Sequence, residues 1–167
     1  IIDNELFKEK KIIQRNQDVI NYIFINCIEQ KKSSEFENIG SKLFDFLSNN
    51  KIESAFVNLS LLKITNVQIE RILHGATLKS YSFEIYKTKK NIKKFININI
   101  VGKNKKSILK TKLDALSAGV FLTRDLVSEP GNILHPDEYA KRIAKLREIG
   151  IKVTVYDKKK LKKMGCG

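Results

Sequence analysis

Both prolines of this sequence lie within residues 123–136 (TRDLVSEPGNILHP), and they limit where its longest helix can end. The residues just before this stretch carry apolar side chains at helical spacing over several turns. Pro130 disfavours the α conformation at Glu129, because the proline ring crowds the preceding residue. We therefore predict that the long helix ends near Ser128.

A turn and a second helix are expected to follow this stop. Pro130 and Gly131 suit the central positions of a type II turn, because proline presets φ at the first and glycine permits positive φ at the second. Pro136 suits the first turn of a helix, where a missing N–H costs nothing. The stretch therefore predicts a helix, a turn, an extended linker and a helix, a pattern typical of a domain junction.

Charged side chains within this junction require partners. Arg124 and Asp125 fall on a largely apolar helix, where a buried charge needs a compensating group. Glu129 precedes the turn and is interpreted as a turn carboxylate rather than an acid/base group. We predict a structural ion pair at a domain joint rather than a binding role. The residues assigned to this joint are Arg124, Asp125, Glu129, Pro130, Gly131 and Pro136.

Three apolar segments upstream predict β-strands. They are rich in β-branched and aromatic residues or alternate in polarity, as strands do. The strongest is the segment 95–101 (FININIV), which places Ile96, Ile98 and Ile100 on one face. The others are residues 19–27 and 54–59, whereas residues 1–18 predict a short helix or loop and residues 81–88 fit no single element.

Helices are predicted between and after these strands. Ser34 with Glu37, and Thr65 with Gln68, have the spacing of capping boxes. The helices behind them extend over about residues 35–49 and to about Leu78. A third and longer helix begins at Lys105, and its predicted apolar stripe contains Leu109, Leu113, Leu116, Val120 and Val127.

Strands that alternate with helices predict an α/β layered fold with at least partly parallel strands. Beyond the junction the pattern predicts a smaller α-β-α piece. Gly150 suits the end of the helix that begins at Pro136, residues 151–155 alternate as a strand, and Asp157 suits the cap of a last short helix. This piece is too small to hold a core by itself.

The charge balance permits a polyanionic partner. Lys and Arg number 32 against 18 Asp and Glu, which gives a net charge of +14. Nearly all of the excess is lysine, whereas arginine is the residue enriched in base reading and bidentate phosphate recognition. A lysine-rich run within residues 86–112 contains no acid and has aromatic residues interleaved. A solvated lysine surface is favoured, and nucleic-acid binding remains an alternative.

Motifs that would carry catalysis are absent from the sequence. Neither GxGxxG nor GxxxxGK[ST] occurs, and Ser128 lacks the G-x-S-x-G elbow of a serine nucleophile. The histidines and cysteines do not have the close spacing of a zinc site; they are His74, His135, Cys27 and Cys166. His74 is therefore interpreted as structural and is placed on a helix face with Val67, away from the buried stripe.

The cysteine spacing does not resemble a disulfide framework, and no apolar run approaches the roughly 18 residues of a membrane helix. We therefore expect a cytoplasmic protein that does not enter a membrane. The chain begins with Ile1 and its only methionine is Met164. We expect it to be a fragment, truncated at both ends.

Two segments resemble the leucyl (cytosol) aminopeptidase family. Residues 112–167 (KLDALSAGVFLTRDLVSEPGNILHPDEYAKRIAKL, then IKVTVYDKKKLKKMGCG) are similar to the stretch that joins the two domains of that family. Residues 74–90 (HGATLKSYSFEIYKTKK) are similar to its Gly-Ala…Ser-Tyr-x-Phe-x-x-Tyr-Lys-Thr run. Ser128, His135 and Cys166 depart from the usual asparagine, threonine and methionine.

The resemblance implies a macro-like α/β domain with a mixed sheet at residues 1–104. It implies a linking helix at residues 105–128 and an incomplete α-β-α start of a metallopeptidase domain at residues 129–167. In the family, two divalent ions, Zn or Mn, hold the water that attacks the scissile carbonyl. Their ligands lie in segments like GKGxTFDxGG and NTDAEGR, which are expected beyond Gly167. No catalytic, metal or cofactor-binding residue is therefore assigned to this chain.

The function implied by the resemblance is that of the non-catalytic N-terminal portion of a two-metal aminopeptidase. The intact enzyme removes N-terminal residues from peptides, and the fragment alone is predicted to be inactive. Its implied partners are its own C-terminal catalytic domain and further copies in a homohexamer. Two alternatives are a nucleic-acid-binding module, possible also because some bacterial relatives bind DNA, and an ADP-ribose-type binder by analogy with macro domains.

Overall fold

The computed structural model describes residues 12–17, 20–25, 32–58, 64–88, 96–101 and 108–166. They form a mixed α/β fold that is mostly helical. By their internal contacts the residues divide into two compact units, Ile1–Phe121 and Leu122–Gly167. The elements in chain order are β1 (Ile12–Gln17), β2 (Ile20–Ile25), α1 (Ser33–Asn49), β3 (Ser54–Asn58), α2 (Asn66–Ser80), β4 (Asn97–Val101), α3 (Ile108–Ser128), α4 (Pro136–Ala144), a 3-10 helix (Lys145–Ile149) and α5 (Lys158–Lys163).

The strands form two small sheets. β3 and β4 pair in parallel, from Ser54 opposite Asn97 to Asn58 opposite Val101. In β4 the alternate residues Ile98 and Ile100 are half-buried and their neighbours are exposed, which confirms the predicted alternation and the parallel pairing. β1 and β2 pair antiparallel. The prediction of a helix or loop for residues 1–18 is therefore wrong where β1 lies, because pairing with β2 stabilises a strand that its own composition does not reveal.

The first unit has its core at the crossing of α1 and α2. Gly40 lies against the backbone of α2, since a Cβ added there would stand 1.7 Å from the carbonyl oxygen of Ile72. Gly75 is equally close to α1, with a distance of 1.9 Å from the added Cβ to the carbonyl oxygen of Glu37. The absence of side chains at these points lets the helices touch. The buried core cluster contains Phe36, Ile39, Ile64, Ile69 and Ile72.

The start of α2 was predicted correctly and the start of α1 was not. Thr65 caps α2: its Oγ1 accepts from the Gln68 N–H at 3.3 Å, and the Gln68 side chain accepts from the Thr65 N–H at 2.7 Å. α1 begins earlier than the Ser34/Glu37 box requires, because Glu35 accepts from the Lys32 N–H at 2.7 Å. A lysine side chain has no acceptor, so only half of a capping box exists there.

α3 ends at Ser128 as predicted, but the stripe of apolar residues predicted for it is only partly buried. Leu113 and Ser117, one turn apart, are buried. Leu116 and Val127 are exposed, at 52% and 81%. The buried face therefore runs through a serine that hydrophobic periodicity cannot select. No described helix is both long and apolar enough to cross a bilayer.

Most of the helix boundaries predicted for the second unit are confirmed. α4 begins with Pro136, after a His135 cap that makes no side-chain hydrogen bond. Gly150 adopts a left-handed φ of 86° after the 3-10 helix. Asp157 Oδ1 accepts from the Lys160 N–H at 2.7 Å and caps α5. The predicted strand at residues 151–155 is wrong, since these residues form neither helix nor strand. A strand requires a neighbour to satisfy its N–H and C=O groups, and none pairs with it in the described part of the chain.

The turn after α3 also differs from its prediction. Positive φ angles among the described glycines occur at Gly150 and Gly165, so Gly131 does not take the left-handed position of a type II turn. Instead the Pro130 carbonyl accepts from the N–H groups of Ile133 and Leu134, both at 2.9 Å. This is a helix-like turn, and the fixed φ of proline is compatible with it. The ambiguous residues 81–88 form neither helix nor strand.

Candidate functional site

A three-residue ionic cluster joins α1 to α2. Glu37 Oε1 accepts from Arg71 Nη1 at 2.8 Å and contacts His74 Nδ1 at 3.0 Å. His74 is only 5% exposed, and its interpretation as structural stays a prediction. The predicted face was wrong, because Val67 is exposed whereas His74 is buried. The contact of His74 with α1 determines which face of α2 is buried. The periodicity of α2 alone cannot predict that contact.

Glu37 is held in its charged form. Burial alone would raise the pKa of this carboxyl, but the hydrogen bonds from Arg71 and His74 together lower the pKa below its ordinary value. A carboxylate can only accept hydrogen bonds, so His74 Nδ1 must carry the proton it donates. In the neutral imidazole, Nε2 is then left as an acceptor.

A cavity of about 570 Å³ adjoins this cluster in the first unit. Residues from α1, α2, α3 and the start of β4 line it. Phe44, Leu73 and Leu113 give it apolar walls, and charged side chains complete the lining. The described lining residues are Phe44, Glu70, Leu73, His74, Ala76, Thr77, Ser80, Ile96, Asn97, Ile98, Lys110, Leu113, Asp114 and Ser117.

Two buried polar atoms on residues that line this cavity have no hydrogen-bond partner among the described residues: Nε2 of His74 and Oγ of Ser117. Ser117 is 4% exposed. A serine inside a helix commonly bonds to the carbonyl one turn earlier, but this hydroxyl does not. An unsatisfied buried polar group costs about 1–3 kcal/mol.

The cavity and the adjoining ionic cluster contain a serine, a histidine and a carboxylate, the residue types of a serine hydrolase, but these residues are not hydrogen-bonded to one another as a catalytic triad. Glu37 holds His74 by Nδ1, as the acid does in a catalytic triad. Ser117 is not hydrogen-bonded to His74 Nε2, so the histidine does not activate its hydroxyl. The other hydroxyls on the lining, of Thr77 and Ser80, donate to the carbonyls of Leu73 and Thr77. The arrangement therefore lacks an activated nucleophile among the described residues.

The second unit contains its own ionic cluster around Glu129. This side chain is only 4% exposed, and its Oε1 accepts from Arg142 Nη1 at 2.7 Å. Arg142 also donates from Nε to Glu138 at 3.1 Å. The hydrogen bond to Glu129, followed by that to Glu138, raises the pKa of Arg142. The hydrogen bond from Arg142 lowers the pKa of Glu138. Glu129 was singled out from sequence, but its partner Arg142 was missed, since no local signal connects residues so far apart.

The remaining residues predicted for the joint lie close to this cluster in sequence. Asp125 accepts at its backbone carbonyl from the Glu129 N–H at 3.0 Å. Pro130 provides the carbonyl of the turn, and Pro136 begins α4. A Cβ at Gly131 would meet no atom within 4 Å, so no close approach requires glycine there. The role of Arg124, Asp125, Glu129, Pro130, Gly131 and Pro136 as a domain joint stays a prediction.

The residues considered as metal ligands are not brought together. His135 and Cys166 are both exposed, and Cys27 lies outside the described residues. Within the described ranges, no three His, Cys, Asp or Glu side chains stand close enough to share a metal ion. Seven of the ten lysines in the run within residues 86–112 also lie outside the described residues.

Two curated proteins similar to this chain carry the same name. The chain is 39% identical over 111 residues to the "Probable cytosol aminopeptidase" of Phytoplasma mali, covering 62% of this chain and 22% of that protein. It is 35% identical over 136 residues to the protein of the same name in Brucella suis, covering 77% of this chain and 27% of that protein. The chain thus spans about a quarter of the length of these relatives. No protein-family model matches it.

Solved structures show where the fold recurs. Part of a tomato leucine aminopeptidase mutant superposes with a TM-score of 0.77 at 16% identity, over 92% of this chain and 33% of that one. The bottromycin maturation enzyme BotP in complex with Mn superposes with a TM-score of 0.67 at 14% identity, over 99% of this chain and 38% of that one. At these identities the likeness concerns the fold. Together with the curated relatives, it confirms the resemblance drawn from the sequence.

Proposed function

Because the chain is related over part of its length to the cytosol aminopeptidases, we propose that it is the non-catalytic N-terminal portion of a leucyl aminopeptidase. One observation carries this proposal. Within residues 122–166 no residue is buried as a whole, and Val127, Ile149 and Met164 are 81%, 72% and 56% exposed. Apolar surface of this kind favours contact with a further part of the protein. The greater length of the relatives is compatible with such a part.

The whole protein would carry the chemistry outside these residues. Two divalent ions, Zn or Mn, would polarise the scissile carbonyl and activate a water that releases the N-terminal residue of a peptide. Segments with the ligands of such ions do not occur among the 167 residues. The whole protein would act in the cytoplasm as a homohexamer. In it this chain would contribute a macro-like domain (residues 1–104), a linking helix (105–128) and the start of the peptidase domain (129–167).

An activity assay tests the catalytic part of this proposal. The purified chain, supplied with Mn²⁺ or Zn²⁺, should not hydrolyse leucyl-p-nitroanilide. The full-length Phytoplasma mali relative serves as the positive control under the same conditions. Metal-dependent turnover by the chain itself would contradict a non-catalytic role.

A chimera tests the structural part. This chain would replace the matching segment of the Phytoplasma mali relative, and the chimera should be soluble and hydrolyse leucyl-p-nitroanilide. Placing an aspartate at Val127 should reduce that activity, because a charge there would face the apolar contact. An active chimera that is indifferent to Val127→Asp would refute the assignment of this surface as the contact.

A second candidate function is nucleic-acid binding, favoured by the exposed lysines of α5 (KKKLKK). Lys160 Nζ lies 4.5 Å from the ring centroid of Tyr156, which places an aromatic face beside the basic helix. Duplex DNA should then shift in a gel at low salt, with an affinity that falls steeply as salt rises. A variant with Lys158, Lys159 and Lys162 changed to Gln should bind more weakly. Absence of a shift at low salt would eliminate this function.

The ADP-ribose alternative gains no support from the cavity. A diphosphate is usually bound by arginine or by backbone N–H groups at a glycine-rich turn. The described lining of the cavity has two carboxylates, Glu70 and Asp114, against one lysine, Lys110. Calorimetry with ADP-ribose should therefore show no heat of binding.

A further inference from the structure

Residues 151–156 of the second unit form an extended segment with one covered edge and one open edge. The open edge carries the backbone groups of Lys152, Thr154 and Tyr156. We propose that it pairs with a β-strand of the whole protein that lies outside these 167 residues. This pairing rests on the proposed function, because it needs the longer protein, and it names the kind of segment that meets the second unit.

The backbone of this segment is extended. Residues 151–157 form no helix, turn or bend, and none of them has a positive φ. Apolar side chains alternate with polar or aromatic ones along the segment (IKVTVY), as they do in a strand with one apolar face. The segment therefore has the conformation and the composition of a strand and lacks only a neighbour.

One edge of the segment is covered by the 3-10 helix. The Ile151 N–H donates to the Leu146 carbonyl at 3.1 Å. The Val153 carbonyl accepts twice from Arg147, from Nε at 3.0 Å and from Nη2 at 2.9 Å. In a strand, the backbone groups of residues two apart point to the same edge. Ile151 and Val153 thus share the covered edge, and Arg147 occupies the place that a neighbouring strand would need there.

The opposite edge is open. The N–H and C=O groups of Lys152, Thr154 and Tyr156 belong to it by the same alternation, and none of them has a hydrogen-bond partner among the described residues. All three residues are exposed. An exposed row of backbone donors and acceptors is a template for another strand. An extended backbone satisfies such a row along its whole length, as it does when a segment is added to the edge of a sheet.

A strand from the rest of the whole protein is the occupant that fits this edge. The chain covers only 22% and 27% of two curated relatives, so most of their length lies elsewhere. A second copy is disfavoured, because a net charge of +14 opposes the association of identical chains. Ile151 and Val155 are each 48% exposed, so we expect the partner strand to carry its apolar side chains on their face of the pairing.

Hydrogen exchange resolved to single amides tests the pairing directly. It would compare the 167-residue chain with the chimera in which this chain replaces the matching segment of the Phytoplasma mali relative. The amides of Lys152, Thr154 and Tyr156 should exchange at least about ten-fold more slowly in the chimera, because each would donate to the new strand. The amides of Val153 and Val155 point to the covered edge and should change less. Protection with a period of two residues is the expected result.

A proline at the centre of the open edge provides a second test. Thr154→Pro removes the N–H that would donate to the partner strand, so hydrolysis of leucyl-p-nitroanilide by the chimera should fall at least about ten-fold. Thr154→Val is the matched control, because valine keeps both the β-branched shape and the N–H, and this variant should stay active. If Thr154→Pro does not fold, the exchange pattern of the unaltered chimera decides alone.

The outcomes separate this pairing from the proposed function. An insoluble or inactive chimera would contradict the proposed function and the pairing with it. An active chimera would contradict the pairing alone under any of three results. The open-edge amides exchange as they do in the 167-residue chain, all five amides are protected alike, or a folded Thr154→Pro is as active as Thr154→Val.

Discussion

The two regions of the molecule differ in burial: helices α1 and α2 bury apolar side chains, whereas the segment 122–166 leaves them exposed. The two helices bring their backbones into contact at Gly40 and Gly75 and bury a continuous apolar cluster. The segment 122–166 has a proline at the start of α4, an aspartate cap on α5 and a buried glutamate side chain, yet none of its residues is buried overall.

The difference shows that local signals and tertiary burial are separate requirements. Caps, a proline at the first turn and a left-handed glycine define the helices of the segment 122–166, and each contributes only about 1 kcal/mol. Burial of apolar side chains contributes about 1.5–3 kcal/mol for each large residue. The α1–α2 pair therefore has a source of stability of its own, and the second unit is the part of the chain that a partner would stabilise most.

The largest expected effect is at the helix crossing. In Gly75→Ala the new Cβ would stand 1.9 Å from the Glu37 carbonyl oxygen, so the helices must separate. We expect a loss of about 3 kcal/mol or more in the free energy of unfolding, measured with urea. Gly119→Ala is the matched control in α3, where nothing lies within 4 Å of the added Cβ. It should be neutral or stabilise by about 0.5–1 kcal/mol. Equal stability of the two variants would contradict the close crossing.

The next effect concerns the ionic cluster between these helices. Glu37→Gln replaces the carboxylate that accepts hydrogen bonds from Arg71 and His74 with a neutral amide. We expect the free energy of unfolding, measured with urea, to fall by about 1.5–3 kcal/mol. Asp45→Asn is the control, because its pair with Lys79 is about half exposed and should contribute less than about 1 kcal/mol.

The same variant has a defined pH dependence. The folded-state pKa of Glu37 is lowered, so the folded chain binds fewer protons there than the unfolded chain does. The stabilisation is fully present above the unfolded-state pKa of the carboxyl and is lost as the pH falls through the folded-state pKa. Unfolding at a series of acid pH values should therefore show a flatter profile for Glu37→Gln. Parallel profiles would exclude Glu37 as the titrating group.

A smaller and more local effect is expected in the second unit. Glu129→Gln weakens the 2.7 Å contact with Arg142, and the amides of α4 should then exchange faster with solvent. Lys141→Gln is the control, since its contact with Glu138 is long, at 3.7 Å, and exposed. The stability of α1 and α2 should be unchanged in both variants. The amides of α1 and α2 are expected to exchange more slowly than those of α4. If Glu129→Gln abolished this difference, the two regions would not be energetically separate.

The smallest effect is expected at the exposed apolar surface. Val127 is 81% exposed, so Val127→Ser should change the free energy of unfolding of this chain by less than about 0.5 kcal/mol. Leu113→Ser on the same helix removes a side chain that is 5% exposed and should cost at least about 2 kcal/mol. Similar losses in the two variants, measured by urea unfolding, would mean that Val127 is already covered.

The sequence predicted what short-range chemistry controls. Pro130 stopped α3 near Ser128, and Thr65 with Gln68 began α2, because each signal acts within four residues. The alternation of helices and strands predicted at least partly parallel strands, and β3 and β4 do pair in parallel, although the sequence did not say which strands would pair.

The candidate site could not be predicted in the same way. Glu37 and His74 are 37 residues apart and meet only because two glycines let the helices touch. Ser117 was not singled out from the sequence, and only the structure shows that it is buried. The predicted strand at residues 151–155 failed for a related reason, since alternation makes a strand possible and a neighbouring strand makes it stable.

Hydrogen exchange across the whole chain tests the difference between the two regions most directly. After correction for intrinsic rates, the amides of α1 and α2 should exchange at least about 100-fold more slowly than those of α4 and α5, because only the first pair is held by a buried core. Comparable protection of α4 and α5 would contradict this account, since it would show that residues 122–166 are stable without a further partner.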